Sequence, residues 1–361
     1  MPLLVLPAMV GVLVDNAGMS DSSAGWSASA NFLASAVVGL LMALRVHHLN
    51  LRRVTTLALA VAILADLASA VTAGDYIAFF AARALSGFAL GAAYVAAVSS
   101  FARLDAYERG FGLYVTLQFI VSGLGLYVVP VYADQMGAFG LFTGFALLDG
   151  LALLLARHLP AEKAADTVIQ DSGSEMKVLL TASAVLAVIG FAGFEAANNA
   201  QFTYVERFGV FLGIADHQIG FSLLIASLVG IPGAFSIVIV GQRFGTLGPL
   251  VFGMLTAIVG LVILINSGSY GTYFLGSCFM GFSWAFCLPF IQSLLASIDR
   301  KGSAIAAGTS FSTFGSAVGP GLAAVVVIGE QYINVFLMSI TIFVVTLLFF
   351  FFADRMRKSN R

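Results

Sequence analysis

The chain alternates long apolar runs with short polar gaps. The runs fall at about 2–15, 27–44, 54–73, 76–102, 110–130, 136–156, 178–204, 218–240, 247–266, 270–298, 303–328 and 332–353. Most hold the roughly 20 apolar residues that an α-helix needs to cross a bilayer. They are continuous, which excludes the alternating ten-residue spans of a membrane β-barrel. The pattern predicts an all-α polytopic membrane protein with twelve transmembrane helices. The longest polar stretch, 158–177, mixes proline, glycine, serine and both charges, and reads as a linker. It divides the chain into two six-helix bundles, 1–157 and 178–353, with a basic tail at 354–361.

Composition agrees. Hydrophobic residues make up 60% of the 361 and charged residues only 10%. A soluble protein carries roughly 45–50% apolar and about 25% charged residues, so a soluble enzyme is excluded. Fifteen of the 17 Lys and Arg fall in alternate gaps or in the C-terminal tail; Arg207 falls on the other side and Arg83 inside an apolar run. The positive-inside rule then places both termini in the cytoplasm. Compact loops and the lack of a targeting signal point to a bacterial inner membrane. Cys278 and Cys287 lie nine residues apart in one run. That is about 14 Å of helix rise, beyond disulfide reach.

The halves share an echo, G-x-x-D-x-x-x-G-aromatic-S. It runs from Gly18 through Asp21, Gly25, Trp26 and Ser27, and again from Gly213 through Asp216, Gly220, Phe221 and Ser222, offset by 195 residues. Each copy precedes the second helix of its half, and each Asp is placed to cap that helix. The repeat points to a duplicated architecture.

Twelve helices in two halves around a central cytoplasmic loop resemble the major facilitator superfamily of secondary transporters. Arg83-Ala-Leu-Ser-Gly87-Phe-Ala-Leu-Gly91 is similar to that family's helix-four motif, an Arg followed by glycines at helical spacing. The loop after helix two, Arg45 to Arg53, keeps the family's terminal basic pair in Arg52 and Arg53. It has His48 where an Asp is usual and Leu51 where a Gly is usual. The loop after helix eight keeps Arg243 and Gly245 but has Gln242 in the acidic position. The resemblance makes His48, Arg52, Arg53, Arg243 and Gly245 gating-loop candidates. Gly315-Ser-Ala-Val-Gly319-Pro320 in helix eleven is similar to an antiporter signature, though it stands in the opposite half, where close packing explains it as well.

Ionisable residues inside a membrane are costly and mark functional sites. Glu195 is the first candidate. It lies about 15 Å of helix rise from Arg207 at the outer end of helix seven. Asn198 and Asn199 follow at i+3 and i+4 on the same face. A carboxyl there is suited to taking and releasing a proton; the alternative is a hydrogen-bonded structural Glu. Asp66 and Arg83 sit at similar depth on consecutive antiparallel helices and form a second candidate group, with Asp15 as a competing partner for Arg83. Asp149 is a further buried acid. In the resembled fold helices three and six are peripheral, which weakens Asp66 and Asp149 as coupling residues. Gln118, Tyr94 and Trp284 lie near mid-depth and are substrate-cavity candidates beside Asn198 and Asn199.

These readings converge on a secondary active transporter of a small organic solute, probably proton-coupled in the sense that Glu195, Arg83, Asp66 and Asp15 are its coupling candidates. Efflux of an amphipathic compound by antiport is the alternative direction, and a non-transporting receptor on the same fold is a third class. An intramembrane enzyme finds no support: there is no H-E-x-x-H and no G-x-S-x-G. No phosphate-binding loop is present to use ATP directly. No cofactor and no metal site are expected. The expected partners are a small-molecule substrate, protons and the lipid bilayer; neither nucleic acid nor an obligate protein partner is implied. Helix one has about fourteen residues before Asp15, and the Gly18 echo follows 17 residues where the Gly213 copy follows all of helix seven. The comparison predicts a longer natural N-terminus with an apolar helix start and a basic leader; a short first helix in a locally thinned bilayer is the alternative.

Overall fold

Where the sequence expects separate helices at 110–130 and 136–156, one fifty-residue element runs from Tyr107 to Ala156. Its two arms meet at Gly137, whose φ of 55° and ψ of −171° lie outside the helical region. The computed structural model describes residues 2–43, 49–101, 107–159, 181–240, 243, 245–298 and 303–359. Among these there are eleven α-helices: α1 (Leu6–Asp15), α2 (Asp21–Ala43), α3 (Leu51–Thr72), α4 (Tyr76–Phe101), α5 (Tyr107–Ala156), α6 (Ala182–Phe211), α7 (Asp216–Val240), α8 (Leu247–Ile265), α9 (Tyr270–Ile298), α10 (Ser303–Val326) and α11 (Tyr332–Ser359). A 3-10 turn, Pro2–Val5, leads into α1. The expected linker lies almost wholly outside the described residues.

Eight of the helices are long and apolar enough to cross a membrane: α2 to α5, α7 to α9, and α11. The thirty-residue α6 is not among them, although it is long enough. The reason is its position. Every residue from Phe194 to Gly209 except Phe202 is buried, because α1, α9, α10 and α11 all pack on it. A helix that touches protein on all sides can carry polar side chains, provided that each finds a partner.

Helix pairing repeats between the halves. In the first, α4 packs on α2 and α3; in the second, α9 packs on α7 and α8. The close approach has the same device in both. A Cβ at Gly87 of α4 would fall on the carbonyl of Asn31 in α2, and a Cβ at Gly281 of α9 on that of Ala226 in α7. The echo glycines also match: Gly18 has φ 67° and Gly213 φ 71°. Each turns the chain through the left-handed region that L side chains avoid. The echo aspartates do not cap their helices as the sequence suggests. Ser20 caps α2 through Ser23 N–H at 3.2 Å, and Asp21 is freed for a contact described below.

The halves meet along three seams: α1 on α6, α2 on α10, and α5 on α7. Hydrogen bonds that cross between the halves, among the described residues, lie at mid-depth or toward the end marked by Asp15. Ser29 donates to Ala317 O at 2.7 Å, and Ser227 donates to Phe119 O at 3.1 Å. The opposite end carries Arg52, whose Nε donates to Leu159 O at 2.8 Å and ties the start of α3 to the end of α5. The final helix runs to Ser359, so residues 354–359 of the expected tail are helical. Asp354 holds that last turn, pairing with Arg357 at 2.5 Å and Lys358 at 2.6 Å.

Candidate functional site

Glu195 stands near the middle of α6 and is buried. Three helices converge on its carboxylate. Trp284 of α9 donates its indole N–H to Oε1 at 3.2 Å. Ser316 of α10 donates to Oε2 at 3.0 Å. Asn199, one turn along α6, donates to the same oxygen at 3.2 Å. Among the described residues no ion pair reaches Glu195; its donors are all neutral.

The Ser316 hydroxyl has a second acceptor, Ser312 O, at 3.1 Å. It therefore has two ways to bond. With Glu195 ionised, the hydroxyl donates to the carboxylate. With Glu195 protonated, the carboxyl donates to Ser316 Oγ, and the hydroxyl proton turns to Ser312 O. Either protonation state keeps its hydrogen bonds without movement of a helix, which matters because a buried polar group left unpaired costs about 1–3 kcal/mol.

The remaining polar groups of α6 satisfy one another. Asn198 donates to Phe194 O at 2.8 Å and accepts from Gln201 at 3.1 Å. Thr203 donates to Asn199 O at 2.5 Å. Of the other cavity candidates, Trp284 joins the Glu195 group directly. Its ring also stands edge-on to Phe119 of α5, with centroids 6.1 Å apart. Gln118 is the neighbour of Phe119 and is partly exposed. Tyr94 is exposed on α4, its ring 6.4 Å from Tyr114 of α5. No hydrogen bond among the described residues joins Gln118 or Tyr94 to Glu195.

Arg83 and Asp66 meet in a separate place, in the first half. Arg83 Nη1 lies 2.7 Å from Asp66 Oδ1, and both side chains are fully enclosed. Ser86 donates to the same carboxylate oxygen at 2.7 Å, and Nη1 reaches Ser69 Oγ at 3.3 Å. The guanidinium lies over the Phe142 ring at 4.9 Å, a favourable cation–π placement. Asp149 of α5 is the other acid beside the pair. Asn31 donates to Arg83 O at 2.7 Å and anchors this cluster to α2.

Asp15, the alternative partner for Arg83, pairs elsewhere. Its carboxylate accepts from Arg207 Nη1 at 2.6 Å, across the seam between α1 and α6. Arg207 Nε lies 3.5 Å from Asp21 Oδ1. Asp21 also receives Tyr332 OH on its carboxylate at 3.1 Å and Tyr204 OH on its carbonyl at 2.7 Å. Reading Arg207 from the sequence as a group beyond the helix end is therefore corrected. It lies within α6 and is buried, because Asp15 and Asp21 supply the opposite charge.

The gating-loop candidates are dispersed. Arg52 makes the structural tie already given. Arg53 is exposed, and its backbone N–H is capped by Asn50 Oδ1 at 3.0 Å. Arg243 is exposed, Gly245 adopts φ 67°, and His48 lies outside the described residues. Sequence reasoning did not single out Ser316, Tyr204, Glu206 or Tyr332. The signal available for Ser316 was the glycine motif itself. A Cβ at Gly315 would fall on Ala192 O, and one at Gly319 would crowd Ala196 O, so residue 316 is carried against α6.

Comparison with known proteins gives a consistent picture. Residues 3–300 match the Major Facilitator Superfamily. The nucleoside transporter NupG, solved as a point mutant, superposes with a TM-score of 0.81 at 13% identity, covering 98% of this chain and 96% of that one. A bacterial homologue of the human lysosomal transporter Spinster, solved inward-facing and unoccupied, gives a TM-score of 0.73 at 14% identity, covering 99% and 95%. No curated protein matches significantly in sequence.

Proposed function

The chain belongs to the Major Facilitator Superfamily, and from that premise we propose that it is a proton-coupled secondary transporter of a small polar organic solute, with Glu195 as the coupling acid. The observation that carries this reading is the environment of Glu195. It is a mid-depth carboxyl with no cationic partner, hydrogen-bonded by Trp284, Ser316 and Asn199 so that it is satisfied with or without its proton. Substrate sites of such folds lie near the midplane between the halves. Trp284 and Phe119 bring an aromatic wall to that level from both halves, with Gln118 beside it.

The two six-helix units, 1–157 and 178–353, move against each other in this account. The Arg52 end faces the cytoplasm by the positive-inside rule, which makes the conformation closed to the outside. Arg83 and Asp66 neutralise each other away from the Glu195 group and serve as a structural brace.

A ligand screen by thermal shift on purified protein identifies the substrate; nucleosides, sugars and organic cations make the first panel. The ligand that stabilises the protein is then followed into proteoliposomes with and without a pH gradient. The proposal expects accumulation that needs the gradient. Uptake that only equilibrates, whatever the gradient, contradicts proton coupling. Accumulation inside when the interior is acidic assigns antiport instead of symport.

A further inference from the structure

The closed end of the molecule carries more acid than base, and one of its acids has no partner. Glu206 of α6 is only 5% exposed, and its Oε2 makes no hydrogen bond. Its carboxyl rests against the backbone of α1 at Gly11, where an added Cβ would fall on Oε1, Oε2 and Cδ. The seat exists because residue 11 has no side chain.

The charged groups that face Glu206 are few. Arg207 is the cation, and Asp15 of α1, Asp21 of α2 and Asp216 of α7 are the acids. Tyr273 of α9 is also close, with its hydroxyl donated to Val205 O at 3.0 Å. Tyr204 and Tyr332 are committed to Asp21. Arg207 is committed to Asp15 and Asp21. One guanidinium thus stands among four carboxyl groups. Burying an ionised carboxylate without a partner is very costly, whereas the neutral acid is far cheaper to bury.

We propose that Glu206 is a second proton-binding site: it holds a proton while α1 is closed on α6 and releases it to water on that side when the seam opens. This goes beyond the assignment of Glu195, which lies on the same helix about 16 Å of rise away. The sign follows from linkage. The closed form binds the extra proton, so low pH favours closure and rising pH favours opening. One proton changes the closed-to-open ratio by at most about tenfold per pH unit.

The test is a distance measurement across the closed end, with spin labels on exposed positions of the α1–α2 and α6–α7 turns of the full chain in lipid nanodiscs. It is run over a pH series in a Glu195→Gln background, so that failure at Glu206 and failure at Glu195 read separately, and it needs no substrate. The parent background should open as pH rises. Adding Glu206→Gln should flatten that dependence and keep the end closed. Gly11→Ala, which fills the seat but leaves every acid in place, should shift the ratio toward open at all pH values. An infrared band of a protonated carboxyl should be present in the closed protein and absent after Glu206→Gln. An unchanged pH slope and an unchanged carboxyl band in Glu206→Gln overturn the proposal, as does a Gly11→Ala protein that stays closed.

Discussion

At the residue scale, the same chemistry yields different roles according to what surrounds it. Arg83 has a carboxylate, two hydroxyls and an aromatic face within reach. Removing one partner of such a buried pair costs about 3–5 kcal/mol, chiefly because the other charge is left alone. Arg83→Ala should therefore give poor yield and a large drop in thermal stability in detergent, partly restored in the double variant with Asp66→Asn. Additive losses would contradict the pairing. The pair was legible in the sequence, since two residues at equal distances from one turn on antiparallel helices must lie at equal depth. The surroundings of Glu195 were legible only in part. Asn199 follows from helical spacing, and Trp284 from its mid-helix position. Ser316 does not follow from either, because its placement depends on how closely α10 approaches α6. Arg207 was misjudged for a related reason: a charge in a sequence reads as a loop marker, and only tertiary structure reveals that Asp15 and Asp21 neutralise it inside the helix.

At the element scale, period and length in the sequence locate most helices, and the exceptions have physical causes. The apolar signal is strong for helices that face lipid and weak for α6, whose neighbours are protein. The break in α5 is a single residue, Gly137, and five polar or small residues around it read as a gap where the backbone nearly continues. The echo is the clearest link between sequence and element. Gly18 and Gly213 occupy the same left-handed turn in each half, with open space around them. Gly18→Ala and Gly213→Ala should each cost about 1–2 kcal/mol from backbone strain alone, read as small and similar shifts in thermal unfolding. Gly87→Ala should cost more, since its Cβ meets the Asn31 carbonyl rather than space. A Gly87 variant less affected than the turn variants would overturn this ordering.

At the scale of the whole molecule, the seams decide function. The halves join through α2 and α10 near Ser29 and Ala317, and through the charged cluster around Arg207 and Asp15. Alternating access requires these contacts to part. A Ser29→Cys/Ala317→Cys pair, oxidised to a disulfide, should stop transport, and reduction should restore it; transport that continues through the locked seam would show that this interface does not open. The two-halved architecture was readable from the echo and the charge bias. Which end is closed was not, because one sequence encodes every state of the cycle. The most direct test of the account separates coupling from translocation at Glu195. In proteoliposomes with an imposed pH gradient, the parent should accumulate substrate above its external level. Glu195→Gln should lose that accumulation but still exchange labelled for unlabelled substrate across the membrane. A Glu195→Gln protein that accumulates substrate as the parent does would contradict the assignment of Glu195 as the coupling acid.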